Sequence, residues 1–398
     1  MAELLIRAGA KDTALVERVL QGPTRGRPSR VVVDAHVAVG SPRIAAAAVA
    51  AGVPFIVDPQ THYLQDHQHL ADPWAQLPYA RPAISTPADL LRPGLADAVV
   101  AGAIEHQLAF GATMLIAPYV HIERRNDGWA QVQVALWRAS KRYLDEHGVQ
   151  LPLIAVLALG WRLLDRPSWP ENFSPLRREL LALNPAEVAL AASRVDAGVK
   201  PDERLASMIA VIRRISRTHP VIAWQQGTLG EAAVAGGAVG YECGIGWRER
   251  CDLGTAMAQH RQPTSGGSAR PVYIDTLRRS IPKASIRALV ANSGLVTDLI
   301  CLDPTCCPNG RLNLLEDPRA HAIQARLRSL RDLTSPAQPA WQWNHLARAA
   351  RDGIELAERI NAFATRSGGV TRIDLAALHA TLSLADNRRQ TLRRRHAA

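Results

Sequence analysis

The chain has 398 residues, 47% of them hydrophobic, with a formal charge of +11 and a sequence pI near 10. That length and apolar content exclude wholesale disorder and allow one large α/β barrel or two ordinary domains. The positive charge points to a polyanionic partner, nucleic acid ahead of membrane.

No apolar run is long enough to span a membrane and no secretory leader is read at the start, so a cytoplasmic protein is expected. Five cysteines, three of them within seven residues, fit a reducing compartment and metal binding better than a disulfide framework.

Residues 1–30 read as a charged lead-in with one amphipathic stretch at 12–20. An apolar strand at 31–39 carries Asp34 and His36, a helix covers 43–51, and a second strand spans 53–64. The Pro-, His- and Asp-rich segment 65–93 is too irregular for a simple connection and is expected to be a functional loop or lid. Helix 96–109 leads into a third strand at 112–122, and the long amphipathic helix 128–146 into a fourth at 151–159. A break at 167–175 precedes helix 176–183, a fifth strand at 187–195 and helix 202–217.

Strands at 221–224 and 239–245 flank a glycine turn and a short alanine-rich helix, and 270–277 is read as the eighth strand. Eight apolar strands alternating with helices predict a closed (β/α)8 TIM barrel over 31–295. No GxGxxG follows the first strand to favour an open doubly wound sheet. Residues 296–370 form a zinc-binding subdomain with C-terminal helices, and 371–398 a basic tail read as disordered or as a nucleic-acid arm. The flexible basic loop 259–271 is a further candidate for phosphate contact.

Cys301, Cys306, Cys307 and His321 offer three thiolates and an imidazole in a turn bent by Pro304, Pro308 and Gly310, a common ligand set for structural Zn2+. Glu242 interrupts an apolar strand in a glycine-rich setting near a strand end, where a carboxylate could serve as nucleophile or general base. Tyr119, Trp161, Trp224, Tyr241 and Trp247 fall near strand ends, where an exposed ring could stack on a flat base. Asp34 and His36 alone do not make a hydrolase metal site.

The order of these pieces resembles the tRNA-guanine transglycosylase superfamily, including relatives that insert 7-deazaguanine bases into DNA. AGVPFIVDPQTHYL (51–64), IEHQLAFGATMLIAPY (104–119), VALAASRVDAG (188–198) and WQQGTLGEAAVAGGAVGYEC (224–243) are similar to its successive strands. The resemblance covers roughly residues 31–365 by order and pattern. It implies a zinc subdomain after the barrel, held by the Cys3His set, and places Glu242 at the position of the nucleophilic aspartate.

The family's aspartate-serine-glycine-glycine-phenylalanine motif has no counterpart in 65–93, and Asp58 is the nearest substitute for its base. Tyr119 stands where the family has its guanine-reading carboxylate. Tyr119, Gln225, Gln226 and Gly227 are the expected base contacts, and Arg248, Arg250, Arg278, Arg279 and Lys283 the expected phosphate contacts. The implied activity is exchange of guanine for a guanine or 7-deazaguanine base in a polynucleotide, DNA ahead of tRNA. A homodimer or an accessory protein is compatible with that reading. The alternative is a non-catalytic paralogue that binds nucleic acid or supports a partner enzyme.

Overall fold

The computed structural model describes residues 2–66, 68–81, 83–164, 174–246, 248–260, 270–292, 294–336, 338–367 and 369–397. Eight strands form its central ring: β1 (Glu3–Ala8), β2 (Arg30–Asp34), β3 (Phe55–Asp58), β4 (Leu115–Ala117), β6 (Leu153–Leu159), β7 (Glu187–Ala192), β8 (Val221–Ala223) and β9 (Gly240–Gly244). The two-residue β5 (His121–Ile122) extends β4 along β6. All neighbours pair in parallel, in the order β3-β2-β1-β9-β8-β7-β6-β4.

The ring is nearly closed. β3 and β4 meet through one parallel bridge, Ile56 to Met114, and the Thr113 N–H donates to the Phe55 carbonyl at 2.8 Å. The Phe55 N–H in turn donates to Thr113 Oγ1 at 2.8 Å. A threonine side chain thus supplies ladder bonds where the strands diverge.

The expected TIM-like barrel is present, but its membership differs at both ends. Residues 3–8 are not a lead-in: β1 lies between β2 and β9, with Leu5 opposite Arg30 and Glu242. The run 270–277 is not a barrel strand; β10 (Val272–Ile274) and β11 (Arg279–Ile281) make a separate antiparallel hairpin. The barrel therefore begins near residue 3 and is complete by β9.

Strand ends were also read too long. β3 stops at Asp58, before Pro59, and Pro118 separates β4 from β5 because proline has no N–H for a ladder. The run after Asp34 turns at once into helix Ala35–Gly40. The break at 167–175, most of the loop 259–271, and Trp247 lie largely or wholly outside the described residues.

The barrel interior is layered, as inward positions alternate along each strand. Leu5, Val32, Ile56, Ile154, Ala189 and Ile222 belong to its apolar core. Below them Arg30 pairs with Glu187 (Nη2 to Oε1, 2.6 Å) and Glu3.

After the barrel, helix Pro318–Thr334 packs on β1, helix Thr13–Gln21 and the hairpin strand β10. A helix of the expected zinc-binding subdomain thus packs against the barrel. The tail is not an extended arm: helix Ala376–Ala397 packs on helix Pro339–Ser367 and on the barrel helix Pro201–Ile215. No helix among the described residues is long and apolar enough to cross a membrane.

Candidate active site and metal centre

Arg7 organises the C-terminal end of the barrel. Its inward-pointing side chain is 4% exposed and reaches three carboxylates from three other strands. Nη1 lies 2.5 Å from Asp34 Oδ1 on β2, Nη2 2.9 Å from Asp58 Oδ2 on β3, and Nε 3.0 Å from Glu242 Oε1 on β9. The guanidinium also stands 5.3 Å from the centre of the Trp224 ring. Arg248 adds a second cation, 2.5 Å from Asp34 Oδ2.

Two guanidiniums thus face three carboxylates. Burial alone would raise Asp34, but Arg248 and Arg7 override it and hold that carboxyl well below the usual range. Glu242 goes the other way: burial pushes its carboxyl up, against the pull of Arg7.

Glu242 was expected to face an open mouth, and it does not. It is 0% exposed, and the N–H of Gln225 donates to its Oε2 at 2.9 Å. The chain after β9 covers it. Cys251 and Leu253 join the apolar core of the barrel beside Ala158 and Ala191. The Leu253 N–H donates to Ser193 Oγ at 3.1 Å, and the Arg194 N–H to the Cys251 carbonyl at 2.7 Å. Glu249 fixes the middle of this cap by accepting from the Ser280 N–H and hydroxyl and from Arg326.

The other expected site residues are also engaged internally. The Tyr119 hydroxyl donates to Asp58 at 3.1 Å, and the Gln60 N–H donates to the same oxygen at 2.9 Å. Gln226 Nε2 donates to the Ala192 carbonyl at 2.7 Å, and the Gly227 carbonyl accepts from Arg326 Nη1 at 2.6 Å. Gly227 admits no side chain, since a Cβ there would sit 2.9 Å from that of Cys243. Tyr241 and Trp224 are fully buried.

Of the expected phosphate set, Arg248, Arg250 and Arg278 are paired with internal carboxylates, whereas Arg279 is held by a backbone carbonyl. Arg250 holds Asp196 at 2.7 Å, Arg278 holds Asp275 at 2.6 Å, and Arg279 donates to the Asp374 carbonyl at 2.7 Å. Lys283 opens helix Lys283–Asn292.

The open part of the mouth is a cleft of about 600 Å³ on the other side of the cap, lined in part by His121, Glu123, Trp161, Ser193, Arg194 and Asp252. His121, on β5, is 5% exposed, and its Nε2 has no hydrogen-bond partner among the described residues. Glu123 Oε2 lies 3.6 Å away. Burial pushes His121 down to about 4, against Asp252, while burial raises the Glu123 carboxyl against Arg162. A neutral imidazole and an acid of raised pKa side by side are suited to moving protons. Glycine at 160 makes room for the acid: a Cβ there would lie 1.9 Å from Glu123 Oε2. Sequence reading passed over this pair because YVHIE continues an apolar run; its place at a strand's C-terminal end was the available signal.

His121 also makes a pH prediction. The unfolded chain holds the imidazole proton with the ordinary value of 6.5 and the folded protein with about 4. Stability present above pH 6.5 is therefore lost as pH falls through that window, by about 3 kcal/mol from this group. Urea unfolding of His121→Gln should show a correspondingly flatter acid limb, and a curve parallel to wild type would contradict the assignment.

The Cys3His set is brought together as the spacing predicts. The ligand atoms of Cys301, Cys306, Cys307 and His321 all lie within 4.8 Å of one another, a group that could hold a metal ion. His321 Nδ1 is 3.3 Å from Cys306 Sγ and 3.4 Å from Cys307 Sγ, and the two sulfurs are 3.8 Å apart. Tetrahedral thiolates on zinc stand about 3.8 Å apart, so the cluster has the right size.

The surroundings also fit. His321 Nε2 lies 3.0 Å from the Tyr273 carbonyl; donating there leaves Nδ1 free as a ligand. The N–H groups of Cys306 and Cys307 both donate to the Asp303 carbonyl, which shapes the turn. Hydrogen bonds from Cys306 and Cys307 push the Cys301 thiol down, and Arg328 Nη1 lies 3.9 Å from its sulfur. Cys243 and Cys251 are buried and take no part.

No family model matches the sequence, and no curated protein matches it. Among solved structures, thiamine phosphate pyrophosphorylase from Pyrococcus furiosus is 11% identical, covering 64% of this chain and 92% of its own, with a TM-score of 0.31. The 3-dehydroquinate dehydratase from Aquifex aeolicus VF5 is 13% identical, covering 65% of this chain and 96% of its own, with a TM-score of 0.32. Likeness this distant bears on neither activity nor ligand.

Proposed function

We propose that this chain is a cytoplasmic pentosyltransferase of the guanine-transglycosylase kind, exchanging guanine in a polynucleotide, DNA ahead of tRNA, for a 7-deazaguanine base. One observation carries the reading: an inward carboxylate on the last barrel strand is coupled to the Cys3His segment. Arg326, on the helix that carries His321, donates to the Gly227 carbonyl and pairs with Glu249 in the cap over Glu242.

In this proposal the Cys3His set holds structural zinc, which supplies no chemistry because all four positions are protein ligands. The cap of residues 249–253 lifts when the target nucleotide leaves its stack and enters the mouth, at a cost of a few kcal/mol for unstacking. A Glu242 oxygen then bonds to C1′ as the C1′–N9 bond breaks, and guanine departs with the electron pair. Asp58, committed to Arg7 and Tyr119, positions the cluster; Glu123 is the acid that gives guanine its proton. The incoming base displaces the carboxylate and returns a proton to Glu123, so configuration at C1′ is retained.

A second reading has an observation in its favour. Arg7 engages Glu242, Asp34 and Asp58 together, as a fixed structural cluster does, which suits a non-catalytic paralogue that binds nucleic acid or supports a partner. Incubation with DNA or tRNA and labelled guanine or 7-deazaguanine separates the two. Wild type should incorporate label and Glu242→Gln should lose at least a thousandfold in rate, the scale of removing a covalent catalyst. Absence of label on every nucleic acid favours the second reading.

A further inference from the structure

We infer that an arginine-lined groove on the side of the barrel away from Glu242 binds the phosphate backbone of a polynucleotide. The groove has a volume of about 1100 Å³. It begins at Ala2, Ser29 and Val53, just before β1, β2 and β3, and so at the face opposite the mouth. From there it passes between helix Thr13–Gln21 and helix Pro318–Thr334 to Cys306.

Arg18, Arg25, Arg27 and Arg331 line it, and no aspartate or glutamate does. Arg18 pairs with Asp317, but Arg27 and Arg331 are held by backbone carbonyls. Arg27 donates from Nε to the Gly22 carbonyl at 2.7 Å, and Arg331 from Nη1 to the Arg25 carbonyl at 2.6 Å. Neither these two nor Arg25 has a carboxylate partner among the described residues. A neutral carbonyl orients a guanidinium without cancelling its charge, so these cations remain available to an anion. The contrast with Arg248, Arg250 and Arg278, all neutralised by acids, is what singles the groove out.

Several cations spaced along a groove suit a chain of phosphates better than a single one. That the chain is a polynucleotide rests on the functional reading above; the anion site itself does not. Because the groove lies away from the mouth, it would hold backbone remote from the nucleotide being exchanged.

The test is fluorescence anisotropy of the full chain with labelled DNA duplex, labelled RNA hairpin and heparin, titrated with NaCl. The double variant Arg25→Gln, Arg331→Gln keeps a donor at 331 and should bind nucleic acid roughly tenfold more weakly, with a log–log salt slope smaller by about 2. Arg142→Gln, Arg351→Gln makes the same change of net charge on exposed helix faces elsewhere and should bind as wild type. Equal affinity and slope in the groove variant, or wild-type binding to heparin but to neither nucleic acid, would overturn the proposal. Base exchange is scored separately. Exchange with unaltered groove-variant binding sinks the groove alone, and weakened binding without exchange sinks the catalytic reading alone.

Discussion

Replacing Arg7 with methionine is expected to lower the unfolding free energy by about 3–5 kcal/mol, the usual cost of breaking a buried ion pair from one side. The side chain fits, but Glu242 and Asp58 would then be fully buried with no cation within reach, and Asp34 would keep only Arg248. Arg7→Lys should recover part of the loss, because one ammonium cannot span carboxylates that a planar fork meets from three sides.

The effect should also depend on pH. Without Arg7, nothing offsets the burial that raises the Glu242 carboxyl, so the folded variant holds a proton that the unfolded chain has released. Its stability then falls as pH rises through the folded value, and the deficit against wild type should be greater at pH 8 than at pH 5. Urea titrations at the two pH values measure this. Equal deficits would mean that the carboxylates are relieved by water entering the mouth.

The second large effect concerns the Cys3His cluster. Wild-type protein purified without chelator should carry one zinc per chain, and Cys307→Ser should carry little. Metal held a thousandfold above its dissociation constant contributes about 4 kcal/mol, and that much should vanish on chelation or in the variant. The loss should not stay local. His321 sits on the helix that packs against β1, and its ring is tied to the Tyr273 carbonyl of the hairpin. Melting of the whole chain should therefore shift. Metal analysis and thermal melts with and without chelator check both points, and zinc-free wild type with an unchanged melt would dispose of the site.

The cysteine cluster was legible because its cause is local: C-x4-CC in a Pro/Gly turn, with a histidine at the start of the next helix. The alternation of strands and helices was equally legible, as it rests on apolar periodicity. The first strand was hidden by its own function. Arg7 makes ELLIRA look like a charged leader, and only a partner 235 residues away shows that its charge belongs inside. RPVYIDTL carries the same pattern as a barrel strand, and nothing local tells a hairpin strand from a ring strand. Glu242 stood out as an acid in an apolar run. Its sealing did not, because the cap is made by Cys251 and Leu253 packing on alanines of distant strands.

The catalytic proposal turns on whether Glu242 can leave Arg7 and bond to a sugar. Intact-mass analysis of protein denatured after mixing with a guanine-containing oligonucleotide, in the absence of an incoming base, addresses this directly. The expected species is protein plus oligonucleotide minus guanine, mapped to the peptide containing Glu242 and missing from Glu242→Gln. No adduct with any DNA or tRNA, or one that persists in Glu242→Gln, would contradict it.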